Sequence, residues 1–178
     1  MGKRTKAREC ALQMLYQWDM TKDPIRHVAE AFWNVRTTTD ETRAMSERLA
    51  LGTHAELVPV DEAITAALKN WRFDRLAAID KAILRLAVFE LLRDLQTPSS
   101  VILDEAVELA KRFGEKDSPP FVNGVLDAVN RAVRPFEAKE RNESRPRSRS
   151  DRDDTSASDS LGRAESHTEA QRKKKGSS

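Results

Sequence analysis

The sequence predicts an all-α protein: seven helices in two groups, followed by a disordered tail. Three observations carry this expectation. Across residues 1–136 apolar side chains recur at i, i+3, i+4 and i+7, the spacing of one apolar helix face. No segment of useful length alternates polar and apolar residues, as a half-buried strand would. After Phe136 the only large aliphatic residue is Leu161, and Ser, Arg and Asp dominate. Such a segment buries too little apolar area to offset its chain entropy, which predicts disorder over 137–178. The helical domain is therefore expected over 1–136, with three helices over about 1–57 and four over about 59–136.

The first helix follows from Ala7, Cys10, Ala11, Met14, Leu15 and Trp18, which share one stripe. Pro24 opens the second, with Ile25, Val28, Ala29 and Phe32 on one side. The Thr-rich break "RTTTD" precedes the third, where Ala44, Met45, Leu49 and Gly52 mark the expected inner face. Pro59 opens the fourth, "VDEAITAALKNW". Residues 76–95 form the most apolar stretch, with Leu76, Ile79, Ile83, Leu86 and Ala87 in one stripe and Leu84, Val88, Leu91 and Leu92 beside it. A helix apolar over most of its circumference belongs at the centre of a bundle. Glu90 falls on that stripe, and its expected place is a buried acid bonded to an arginine or a helix end. Pro98 ends this helix, and Ser99 or Ser100 is a candidate cap for the sixth. There Ala106, Leu109, Ala110 and Phe113 share a face, and Gly114 suits the position just past the end. Ser118 is the expected N-cap of the seventh, with Pro119 and Pro120 in its first turn. Val122, Val125, Leu126 and Val129 keep helical spacing across Asn123-Gly124, and Gly124 suggests a close helix contact.

Composition narrows the function. The single cysteine, Cys10, excludes an internal disulfide framework and reads as a small buried hydrophobe. His27, His54 and His167 lie far apart, so neither a metal nor another cofactor is expected. No apolar run approaches a membrane span and no signal-peptide pattern appears, which points to the cytoplasm. The adjacent acids Asp61/Glu62 and Asp104/Glu105 point in different directions on a helix, and no phosphate loop or nucleophile elbow appears. Enzymatic activity is not expected.

Charge is partitioned. Residues 139–178 hold eleven Lys/Arg and eight Asp/Glu, a net of +3, which leaves −1 for residues 1–138. Lys3, Arg4, Lys6 and Arg8 give the first eight residues +4, so residues 9–138 carry −5. Such a basic arm is either a solubilising feature or a grip on a polyanion. Tyr16 lies off the apolar stripe of the first helix, on the side of Glu9 and Leu12. Cations for phosphates beside an aromatic for bases make a plausible single-stranded RNA site. The tail clusters "RPRSRS" and "RKKK" have the same two readings, added RNA affinity or solubility.

Four blocks, "ARECALQMLYQWD", "DKAILRLAVFEL", "DEAVELAKRFG" and "DSPPFVNGVLD", resemble in order and spacing the hallmark segments of the NusB family of transcription antitermination factors. The likeness covers roughly residues 4–133. It implies an all-helical fold of two subdomains and a non-enzymatic role, in which the protein and NusE, a small-subunit ribosomal protein, bind the boxA element of nascent ribosomal RNA. That complex joins other Nus factors on RNA polymerase and suppresses premature termination. By position, the family's basic arm falls on Lys3, Arg4, Lys6 and Arg8, with Thr5 where another basic residue is common. Its RNA-facing tyrosine falls on Tyr16, and the rest of the RNA surface on Phe113, Asp117, Ser118 and Phe121. The acid that meets NusE corresponds to Asp80. "LDEA" at 103–106 and Pro119-Pro120 depart from the common pattern. The resulting expectation is a flexible arm that orders along RNA, bases stacked on Tyr16 and Phe121, and phosphate held by N–H groups at the helix start near Ser118. Two other readings stay open: a protein–protein module with an incidental basic arm, and the RNA-binding domain related to ribosomal-RNA cytosine methyltransferases.

Overall fold

The computed structural model describes residues 2–144. Eight α-helices follow one another among them: α1 (Lys3–Thr21), α2 (Ile25–Asn34), α3 (Asp40–Ala55), α4 (Leu57–Ala67), α5 (Ala78–Arg93), α6 (Ser99–Phe113), α7 (Ser118–Val133) and α8 (Pro135–Ser144). A short 3-10 turn, Phe73–Arg75, leads into α5. The all-helical class holds, with one more helix than expected. Residues 137–144, read from composition as disordered, belong to α8; the rest of the predicted tail, 145–178, lies outside the described residues. No described helix is long and apolar enough to cross a membrane.

The central position of α5 follows from its composition. Its residues from Ala82 to Leu91 are buried without a break, and α1, α3, α4, α6 and α7 all pack against it. One apolar core thereby joins α1 to α7, and Cys10 lies inside it. Three helix starts differ from expectation. Pro24 takes the N-cap position of α2, Pro98 takes the N-cap position of α6 expected for Ser99 or Ser100, and α4 begins at Leu57, with Pro59 within its first turn. Thr39 caps α3 in the ordinary way, its hydroxyl accepting from the Thr42 N–H at 3.3 Å.

The inner face of α3 is rotated from the apolar pattern. Ala44 is exposed, whereas Thr42, Ser46 and Thr53 are buried beside Leu49 and Ala50. Ser46 and Thr53 donate back to the carbonyls of Thr42 and Leu49, both at 2.7 Å, so their hydroxyls are satisfied inside the helix. The close contact of this helix is at Gly52, where a Cβ would stand 2.5 Å from the Phe89 ring. Gly124, expected to serve that purpose, faces open space.

Candidate nucleic-acid interface

Residues 3–8, expected as a flexible arm, form the first turns of α1. Lys3, Arg4 and Lys6 are exposed. Lys3 pairs with Glu41 at 2.6 Å and Lys6 with Glu9 at 3.2 Å. Lys3 and Arg4 also border a cleft of about 570 Å³ with Arg48 and Arg93. Arg8 departs from the expected surface position, because it is only 3% exposed. Its guanidinium holds Glu90 through three hydrogen bonds of 2.8–3.2 Å, with Glu105 at 3.8 Å. Burial works against this cation; the hydrogen bonds and charge of Glu90 outweigh it and hold its pKa above the usual value. Arg8 thus supplies the arginine expected for Glu90 and is not free to meet a phosphate.

Tyr16 stands off the core face of α1 and is 38% exposed. It lines a cleft of about 560 Å³ with Gln13, Arg36, Ile79, Phe113 and Glu115. Phe113 is half-buried and carries the Arg112 guanidinium 5.4 Å from its ring centre. Arg112 in turn bonds Glu9 at 2.9 Å, which links this cleft to Lys6. Gly114 closes α6 in an extended conformation rather than the left-handed one that favours glycine. It is needed for space: a Cβ there would lie 2.6 Å from the Ser118 side chain and 2.8 Å from the Ala110 carbonyl oxygen.

The start of α7 differs from expectation in two ways. Asp117, which is exposed, takes the N-cap position, and Ser118 is the first helical residue and buried. The Ser118 hydroxyl accepts from the Glu115 N–H at 3.0 Å. Nor does this helix start offer N–H groups to phosphate. The Ser118 and Phe121 N–H groups donate to the carbonyls of Glu115 and Asp117, and Pro119 and Pro120 have none to give.

Asp80, expected to face a partner protein, is 8% exposed and lies against Ser118. Burial pushes its carboxyl above the usual range and the nearby Glu115 charge adds to this, while the Ser118 hydroxyl acts in the other direction. Its Oδ1 has no hydrogen-bond partner. Phe121, half-buried on the first turn of α7, meets the Trp71 ring edge-to-face at 5.8 Å.

Contacts link Lys6 through the buried Glu9 to Arg112 and Phe113, Glu115 to Ser118 at the α7 start, and Phe121 to Trp71, while Tyr16, Phe113 and Glu115 share one cleft. Cations stand at the α1 end, rings along the strip, and the acids Glu115 and Asp117 near its middle. Sequence reasoning did not single out Arg36, Arg112 or Trp71. The signal for Trp71 was present in "KNWRFDR", an aromatic among cations.

Known proteins share this sequence pattern and fold. The family model described as "NusB family" matches residues 5–131. A transcription antitermination protein NusB of Sorangium cellulosum is 44% identical over 129 residues, which is 72% of this chain and 92% of that protein. The corresponding protein of Anaeromyxobacter dehalogenans is 44% identical over 141 residues, 79% of this chain and 99% of its own length. Among solved structures, NusB of T. maritima superposes with a TM-score of 0.70 at 30% identity, covering 79% of this chain and 98% of that one. A chain in the crystal structure of the antitermination factors NusB and NusE in complex with double-stranded RNA gives 0.63 at 26% identity, covering 74% and 98%. With its hallmark segments matched across all but the last of the described helices, the chain belongs to the NusB family.

Proposed function

We propose that the chain is a transcription antitermination factor that binds the boxA element of nascent ribosomal RNA as a single strand, together with NusE, and so prevents premature termination. It catalyses no reaction; its work is recognition. The observation that carries this reading is the chain of contacts from Lys6 on α1 through Glu9 and Arg112 to Phe113, beside the cleft that Phe113 shares with Tyr16. Lys3, Arg4 and Lys6 neutralise phosphates, and the rings stack on or flank unpaired bases. Asp117, exposed at the α7 N-cap, accepts hydrogen bonds from a base rather than holding a phosphate. Ser118 and Arg8 act one layer below: Ser118 ties the α6–α7 turn, and Arg8 fixes the start of α1 to α5.

NusE is the proposed protein partner, reached near the start of α5. Asp80, being buried, serves there mainly by holding the α7 start in place beneath the surface. Other Nus factors and RNA polymerase complete the assembly, in the cytoplasm. A mobility-shift series with a boxA RNA and a scrambled one, with and without NusE, tests the reading. The expected result is preference for boxA, strengthened by NusE and eroded by Tyr16→Ala. Equal binding of both RNAs, or NusE binding with no RNA bound at all, rejects it.

A further inference from the structure

Trp71 is 63% exposed, on the connection between α4 and α5, although a tryptophan side chain loses much by standing in water. Of the three tryptophans, Trp33 is buried and Trp18 half-buried, so Trp71 alone is freely accessible. Among the described residues its ring meets that of Phe121, edge-to-face with an interplanar angle of 68°, an arrangement in which the two rings do not cover each other's faces. Next to Trp71 in the chain are Lys69, Arg72 and Arg75, all exposed, with the single acid Asp74 among them, which pairs with Arg72 at 2.9 Å. We propose that Trp71 and Phe121 form a stacking subsite for an unpaired base, with Lys69 and Arg75 holding the adjoining phosphates, at the end of the strip opposite to Lys3 and Lys6.

This rests on the reading of the strip as an RNA surface and extends it to a second cationic end. An aromatic face among cations suits a single strand, which offers flat bases and a charged backbone together. The surplus of cations over the single acid Asp74, with Lys69 among them, favours a polyanion over a protein partner, whose interface centres are depleted of lysine.

Trp71→Ala in the full chain should weaken binding of a boxA RNA about ten-fold, within the range of one base stack. Trp71→Phe should keep most of the affinity. The same RNA should quench the emission of the wild-type protein, and Trp71→Phe should remove that quenched component, a readout that does not depend on whether the alanine variant folds. Unchanged affinity in a Trp71→Ala protein of unchanged melting temperature overturns the subsite. So does wild-type emission that RNA leaves untouched, or a defect confined to NusE binding. Wild-type protein that binds no RNA defeats the wider reading instead, and the subsite with it.

Discussion

At Arg8 and Glu90 a pair of opposite charges is placed where neither can meet water, 3% and 1% exposed. Removing one partner leaves the other charge buried and uncompensated, which costs about 3–5 kcal/mol. Glu90→Ala and Arg8→Ala should each show a loss of that size in urea unfolding, whereas replacing both by apolar residues should recover much of it. An unchanged midpoint for Glu90→Ala would mean that the pair contributes nothing to stability. Glu90 was legible because a carboxylate on the apolar stripe of a central helix must find a partner. The partner was harder to read: Arg8 belongs by charge to a cluster of four cations, and that cluster suggests a polyanion. Its helical phase carried the contrary signal, since Arg8 precedes Ala11 by three positions and Leu15 by seven, both on the apolar stripe and both buried. The periodicity that marked the core thus also identified the cation that was not free.

Helix α8 shows the opposite case, an element with almost no apolar signature. In "PFEAKERNES" Phe136 is 85% exposed and only Ala138 is buried among the hydrophobic residues, so no stripe announces it. Polar bonds to the ends of other helices anchor it instead. Arg134, the C-cap residue of α7, donates to the carbonyls of Glu90, Leu91, Asp94 and Thr97 at 2.6–3.1 Å, tying together the C-terminus of α5 and the connection that follows it. Glu137 then accepts from the Ser99 N–H at 2.7 Å, capping α6 from a different helix where Pro98 supplies no side-chain cap. That N–H bond, more than the opposing desolvation, holds the Glu137 carboxyl below its usual pKa. An acid whose pKa is lowered by folding stabilises above its unfolded pKa and loses that contribution as pH falls through the folded value. Glu137→Ala should therefore cost about 1 kcal/mol at neutral pH, the worth of an ordinary cap, with the gap to wild type closing as the medium becomes more acid than the carboxylate range. Melting curves across pH check this; a gap that stays constant in acid would assign the loss to packing. The seven apolar helices were legible because periodicity reports burial. The eighth was not, because its anchors are hydrogen bonds between residues far apart in sequence.

Across the whole molecule, charge is separated in a way that local pairs do not reveal. Residues 9–138 carry −5, while the first eight residues carry +4 and residues 139–178 carry +3. The positive start was legible as a number in the sequence, but its geometry was not. The sequence pattern suggested four equivalent cations on a loose arm, and folding leaves three exposed on a helix with the fourth inside. The rings were legible one at a time; their alignment depends on how α1, α6 and α7 cross α5, which no spacing within a single helix encodes. The exposed count sets the salt dependence of RNA binding, because each phosphate neutralised on a single strand contributes about 0.7 to the log–log slope. The basic residues beyond 138 contribute to any measured slope as well, so the informative quantity is a difference. Replacing Lys3, Arg4 and Lys6 together should flatten the slope by about 2, that is three cations at 0.7 each, whereas a fourth contribution from Arg8 would bring the change for all four to nearly 3. Titrations of full-length protein against a boxA RNA over a series of potassium chloride concentrations distinguish these values. If the triple variant keeps the wild-type slope, the α1 cations do not touch the backbone, and the positive start of the chain serves solubility instead.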